Sequence, residues 1–285
     1  MPKLIALLDG SIYAESVCAH AAWVAGRTGA AVELLHVIGR REAEGAAPAD
    51  LSGAIKLGAR SALLAELSAL DEQRAKLLQQ RGRAILDDGK AALERAGVAA
   101  VAPRLRIGDL IDAVCESETD AEMLIVGKRG EAADFATGHL GSNLERIARS
   151  VHKPLLVAAR AFRPIETVLV AYDGGPSSRK AVAFMAESPL FAGLTHRIVT
   201  VGAEGPQTHA RLEEAAGPLR AAGRAVETER LDGQPEAAIA RRVEAGGGEL
   251  LVMGAYGHSR IRNLIIGSTT AAMLQSCRIP VLLFR

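Results

Sequence analysis

Three glycines and a serine late in the chain have the spacing of an anion cradle. Gly254-Ala255-Tyr256-Gly257 is followed by nine residues and then by Gly267-Ser268-Thr269-Thr270. Gly254 closes an apolar run at a point where a side chain would keep a ligand off the backbone. Gly257 permits a turn that other residues resist. Gly267-Ser268 opens a helical stretch, so free N–H groups, a hydroxyl and the positive end of the helix dipole face one point. The chemistry of such a point is phosphate binding. An earlier segment approximates it: Gly127-Lys128-Arg129-Gly130, then ten residues, then Gly141-Ser142. Its spacer adds two acids, Glu131 and Asp134. A carboxylate about 6 Å from a phosphate charge costs roughly 2–3 kcal/mol at an effective dielectric of about 20. The later cradle is therefore expected to be the competent one. The earlier is expected to be weaker or empty unless Lys128 and Arg129 offset the acids.

Two cradles in one chain imply a repeat, and the flanking sequence contains it. Residues 4–10 (LIALLDG) match 168–174 (VLVAYDG), residues 122–130 (EMLIVGKRG) match 249–257 (ELLVMGAYG), and residues 141–157 match 267–283. Three landmarks recurring in order place one domain over 1–160 and a second over 164–285. The first carries a helical insert over about 39–80, where residues 51–97 are rich in Ala, Leu, Glu, Arg and Gln and read as one long or two shorter helices. In the second copy, strands are expected near 166–172, 196–202, 225–231, 249–254 and 280–284. Helices are expected near 176–188, 207–223, 234–246 and 267–277. Apolar strands alternating with helices specify a parallel sheet covered on both faces. Right-handed crossovers make it doubly wound, with ligands beyond the carboxyl ends of the strands at the switch point. The loops that matter then follow strand one (Asp9, Asp173) and strand four (Gly127 and Gly254 onward).

The glycine spacing, its place after strand four, the Asp after strand one and the closing Pro-Val-Leu-Leu strand together resemble the ATP-binding domain of the universal stress protein family, twice over. That resemblance implies two tandem five-stranded domains of adenine nucleotide α-hydrolase-like fold, with strand order 3-2-1-4-5. It implies that Asp173 and the main chain near Val201 hold the adenine and ribose end. Met253, Gly254 and Gly257 would line the ribose and α-phosphate, and Gly267, Ser268 and Thr269 would cradle the outer phosphates. Arg260 is either an added phosphate contact or a solvated loop charge. The corresponding first-half set is Asp9, Val37, Gly127, Gly130, Gly141 and Ser142. The implied ligand is ATP, with Mg²⁺. Relatives pair domains through their last strands, so 154–159 and 280–284 are expected to pair antiparallel and make the chain an intramolecular pseudo-dimer. A symmetric homodimer of chains is the default further assembly, and a protein partner remains to be named.

Other constellations carry less. His258 and His139 lie near the cradles, but neither shows a placed acid–base partner, and they read as loop contacts. Ser177-Ser178 and Ser11 read as helix caps. Leu57, Leu63, Leu64, Leu67, Leu70, Leu77 and Leu78 recur at helical spacing in the insert, a pattern that reads as packing on the parent domain. Trp23 and the Val17–Ala25 stripe read as core. A G-x-x-x-x-G-K-[ST] loop, a G-x-G-x-x-G turn after a first strand and a G-x-S-x-G elbow are all missing, which disfavours a P-loop NTPase, a dinucleotide dehydrogenase and an α/β-hydrolase. No catalytic set and no metal-ligand spacing stand out, so at most slow hydrolysis is expected.

Composition bounds the rest. Of 285 residues 49% are hydrophobic and 24% charged, and the formal net charge is +1. That balance suits a globular chain and gives no field for nucleic acid or an anionic membrane. Cys18, Cys115 and Cys277 are widely separated and read as small buried hydrophobes in a reducing, cytoplasmic setting. Two classes of function remain: an ATP-binding stress or signalling protein, and a non-nucleotide-binding interaction protein of the same fold.

Overall fold

The computed structural model describes residues 2–40, 57–130, 142–255 and 268–285, with backbone alone for 57–64, 142 and 268. The first half runs β1 (Lys3–Leu7), α1 (Ala14–Thr28), β2 (Ala31–Gly39), α2 (Leu57–Arg95), β3 (Val101–Gly108), α3 (Leu110–Glu118), β4 (Met123–Gly127), α4 (Ser142–Ser150) and β5 (Leu155–Ala158). The second runs β6 (Thr167–Ala171), α5 (Pro176–Glu187), β7 (Thr195–Val201), α6 (Pro206–Ala221), β8 (Ala225–Leu231), α7 (Pro235–Glu244), β9 (Leu250–Gly254), α8 (Ser268–Ser276) and β10 (Val281–Phe284). A 3-10 turn at Pro189–Phe191 precedes β7.

All ten strands form one sheet in the order β3-β2-β1-β4-β5-β10-β9-β6-β7-β8. Each half therefore has the expected 3-2-1-4-5 order, and its strands pair parallel. The exception is the seam, where β5 and β10 pair antiparallel with Leu155 opposite Leu283 and Val157 opposite Val281. Both strands are fully buried.

The period-two alternation of side chains divides the strands between two cores. Leu4 and Ala6 point to the face covered by α1, α2, α5 and α6, with Val17, Leu86, Met185 and Leu219. Ile5, Leu124 and Val126 point to the face covered by α3, α4, α7 and α8, with Val114, Ile147, Ile239 and Leu274. Burial on both faces is what makes the strands read as unbroken apolar runs.

In the described part of the insert region a single helix, α2, runs 39 residues from Leu57 to Arg95. Its inner half docks through Gly82, Leu86, Gly89 and Leu93, all buried. A Cβ on Gly82 would stand 2.8 Å from Leu105 Cδ1, so glycine lets the helix lie close to the sheet. The outer half differs from expectation. Leu67, Leu70 and Leu77 are exposed and do not pack on the parent domain. They point roughly a hundred degrees around the helix from the docking stripe. Leu57, Leu63 and Leu64 fall where only backbone is described.

The linker is tied to α1 by Phe162, whose ring meets His20 edge-on at 5.0 Å. Arg27 of α1 donates to the Leu190 carbonyl at 2.6 Å, and its guanidinium covers Trp23, which is half-buried. Cys18 and Cys277 are buried and Cys115 partly so. Burial pushes the Cys18 thiol up to about 11, which suits the inert role expected of it.

Burial also holds His20 and His196 below the usual histidine value. The Nδ1 of His20 lies 2.7 Å from the Ser16 carbonyl and that of His196 lies 3.3 Å from the Ala225 carbonyl. Both Nε2 atoms are buried without a partner among the described residues. The unfolded chain takes up these protons at about pH 6.5, and the folded chain only at lower pH. Their stabilisation is therefore complete above that value and is lost as pH falls through the folded values. Calorimetric scans should show the unfolding temperature falling between pH 7.5 and 5.5, with a shallower slope in His20→Leu/His196→Leu.

Candidate functional site

The site residues gather at the carboxyl edge of the sheet. In the second half β6 lies between β7 and β9, so the loops that follow β6, β7 and β9 leave side by side. This is the switch point of a doubly wound sheet, where connections from β6 and β9 go to opposite faces.

The exits of the first two strands are clasped in each half. Thr200 Oγ1 donates to the Tyr172 carbonyl at 2.9 Å, setting Val201 beside the start of the Asp173 loop. His36 occupies the matching position in the first half, its Nδ1 2.7 Å from the Leu8 carbonyl, beside Val37 and Asp9. Two different side chains fix the same corner.

Asp173 is itself held. Its Oδ1 accepts the Gly175 N–H at 2.8 Å and the Ser178 hydroxyl at 2.6 Å. Ser178 is thus a support for the carboxylate. The cap of α5 is Gly175, with Pro176 in the first turn and no side-chain cap bond, which corrects the reading of Ser177-Ser178 as caps. Ser11 behaves closer to expectation, its Oγ accepting the Tyr13 N–H at 3.3 Å ahead of α1. Asp9 Oδ1 accepts the Ser11 N–H at 3.1 Å.

The strand-four glycines have an immediate packing use. A Cβ on Gly254 would stand 3.0 Å from Ser177 Cβ and 3.1 Å from the Ser178 backbone nitrogen. On Gly127 it would stand 2.7 Å from Tyr13 Cβ. Each glycine therefore admits the start of the helix that follows strand one, and with it the Asp loop. The halves differ here, since a buried tyrosine stands in the first where a serine stands in the second. In the first half a Cβ on Gly130 would lie 3.1 Å from Asp9 Oδ2.

The cradle helix α8 is anchored at its start. Thr270, one residue past the expected contacts, is buried and donates its hydroxyl to the Ala255 carbonyl at 3.0 Å. This fixes the helix opening against the exit of β9. Thr269 donates to Glu236 Oε1 of α7 at 2.8 Å. Neither Thr270 nor Glu236 follows from the glycine spacing. The second threonine of the Gly-Ser-Thr-Thr run is the available signal for the first, and nothing in the motif points to the second. Met253 is buried and Gly254 half-buried at the end of β9. Ser268 and Ser142 open α8 and α4 as backbone. Gly257, Arg260, Gly267, Gly141, Glu131, Asp134, His139 and His258 lie outside the described residues.

Lys128 reaches across the seam. Its Nζ donates to the Cys277 carbonyl at 2.6 Å, at the far end of α8 in the other half. Burial holds this ammonium below the usual lysine value. Arg285 answers from the second half, donating to the Arg149 carbonyl at the end of α4. Each cradle helix thus has its negative end capped by a cation from the other half. Among the described residues no group of three or more His, Cys, Asp or Glu side chains could hold a metal ion, and no helix is long and apolar enough to cross a membrane.

These features define a tandem of two doubly wound α/β domains joined through their last strands. The universal stress protein family model matches residues 1–159 and again 164–285, and the chain belongs to that family in its two-domain form. The universal stress protein Slr1230 of Synechocystis sp. is 43% identical over 287 residues, covering 100% of each chain. The crystal structure of a universal stress protein from Archaeoglobus fulgidus covers 99% of this chain and 98% of its own, with a TM-score of 0.72 at 18% identity. A universal stress protein structure from Pseudomonas aeruginosa covers 100% of this chain and 93% of its own, with a TM-score of 0.60 at 16% identity.

Both strand-four glycines can be tested directly. Gly254→Ala should cost about 1–3 kcal/mol by overpacking, read from urea denaturation. Gly127→Ala, whose new methyl meets the Tyr13 side chain more closely, should cost more.

Proposed function

We propose that this chain is an ATP-binding stress-response or signalling protein whose second half is the nucleotide site. The observation that supports the reading is that β7, β6 and β9, which end at Val201, before Asp173 and at Gly254, lie side by side, with the opening of α8 tied to the exit of β9 through Thr270. Asp173 and the main chain at Val201 take the adenine and ribose end. Met253, Gly254 and Gly257 line the ribose and first phosphate. Gly267, Ser268 and the main chain of Thr269, whose hydroxyl is engaged by Glu236, take the outer phosphates. Arg260 is an added contact, and Mg²⁺ is counter-ion to the phosphates and to that carboxylate. Free N–H groups at the helix start and its positive end supply the attraction. The absence of a placed acid–base pair in the motif argues for binding with at most slow turnover.

Two features of the described residues favour the second half over the first. Serine stands where Tyr13 packs beside the strand-four glycine, and Lys128 is engaged by the Cys277 carbonyl across the seam. The first-half set Asp9, Val37, Gly127, Gly130, Gly141 and Ser142 is then a weaker or lapsed site. The paired last strands support reading the chain as an intramolecular pseudo-dimer. The exposed leucines of α2 favour, as a second reading, an interaction role that does not need nucleotide.

Calorimetric titration with ATP and Mg²⁺ should give one site per chain, abolished in Gly267→Val. Two sites per chain would show a competent first half. No heat at millimolar ATP would sink the nucleotide reading and promote the interaction role.

A further inference from the structure

The long helix α2 has no counterpart in the second half, where α6 spans 16 residues against its 39. Only its inner half is needed to cover the sheet. Among the described residues, five large hydrophobic side chains are exposed, and three of them are Leu67, Leu70 and Leu77 on the outer half, at 41%, 56% and 58%. A stripe of this kind on one helix is a partner surface when it is not core.

We propose that this outer half pairs antiparallel with the same helix of a second copy of the chain. Two other routes to self-association, through the last strands and through the sheet edges, are disfavoured. The last strands, β5 and β10, are spent on each other within the chain. The outer edges of the sheet carry charge: Arg104 and Arg106 on β3, and Glu227 and Glu229 on β8. These are engaged in ion pairs with Glu33, Glu116, Arg197 and Arg242. Charged edges of this kind resist strand addition.

Charge along α2 selects the occupant and its direction. An acidic block (Glu66, Asp71, Glu72) precedes a basic block (Arg74, Lys76, Arg81, Arg83). A parallel copy would set like charge against like. An antiparallel copy sets acid against base twice, the complementarity that fixes orientation in helix pairs. With the two-fold axis between Gln73 and Arg74, Leu70 faces Leu77 of the second copy, Leu77 faces its Leu70, and Glu66 faces its Arg81. The Glu72–Lys76 pair within the helix is exposed at both ends, so exchanging it for an intermolecular partner costs little. Two-fold symmetry closes the assembly at a dimer. The inference stands apart from the nucleotide reading, and a failure to bind ATP leaves it untouched.

Sedimentation equilibrium of the full chain tests it. The expected result is a reversible monomer–dimer equilibrium. Leu70→Asp/Leu77→Asp should raise its dissociation constant at least about 30-fold, with helical circular dichroism and unfolding temperature unchanged at concentrations where both proteins are monomeric. Mild oxidation should link Arg74→Cys, near the axis, into a covalent dimer above the background of the native cysteines, and should not link Glu66→Cys. A wild-type monomer at millimolar chain, or a dimer indifferent to the double substitution, would overturn the proposal. So would cross-linking of Glu66→Cys in place of Arg74→Cys. A drop in unfolding temperature in the double variant with no change in mass would place the leucines in their own chain and overturn it too.

Discussion

The antiparallel pairing of β5 with β10 is the contact on which the rest of the molecule depends. Either half alone would end in an open strand of four apolar residues, Leu155–Ala158 or Val281–Phe284. An apolar strand with unpaired N–H and C=O groups recruits any strand it meets. Pairing the two within one chain satisfies both edges and merges two five-stranded sheets into one of ten. It also brings each half's cradle helix within reach of a cation from the other, Lys128 on α8 and Arg285 on α4. The seam therefore couples the two halves electrostatically as well as through backbone.

Duplication gave the halves the same frame and left them free to diverge in what the frame holds. The clasp between strands one and two survives a change from His36 to Thr200, because either side chain can donate to the same carbonyl. The position beside the strand-four glycine does not tolerate exchange so neutrally. A buried tyrosine stands there in the first half and a smaller buried serine in the second. Lys128, in the Gly-Lys-Arg-Gly segment after β4, is half-buried as a cap on the end of α8. An ammonium against carbonyls at the negative end of a dipole gains more in a partly buried setting.

The sequence by itself determined the repeat, the parallel sheet, the strand order implied by the family resemblance and the corner of the sheet where Asp173 and Gly254 meet. The repeat and the parallel sheet follow from local signals: apolar runs of strand length, glycines where a run must end, helical periodicity between them. The strand order follows from the family resemblance. Tertiary structure alone decided what each polar side chain faces. Ser178 supports Asp173 instead of capping α5, Lys128 crosses the seam, Thr270 anchors α8 and Glu236 meets Thr269, all through partners distant in sequence or on neighbouring turns. The leucines of α2 show the limit most plainly. Their spacing states that one side of the helix is apolar, but two such stripes run along it, and only the packed sheet decides that Gly82, Leu86, Gly89 and Leu93 face inward while Leu67, Leu70 and Leu77 face out. Periodicity fixes which residues share a face. What lies opposite that face is settled by the rest of the chain.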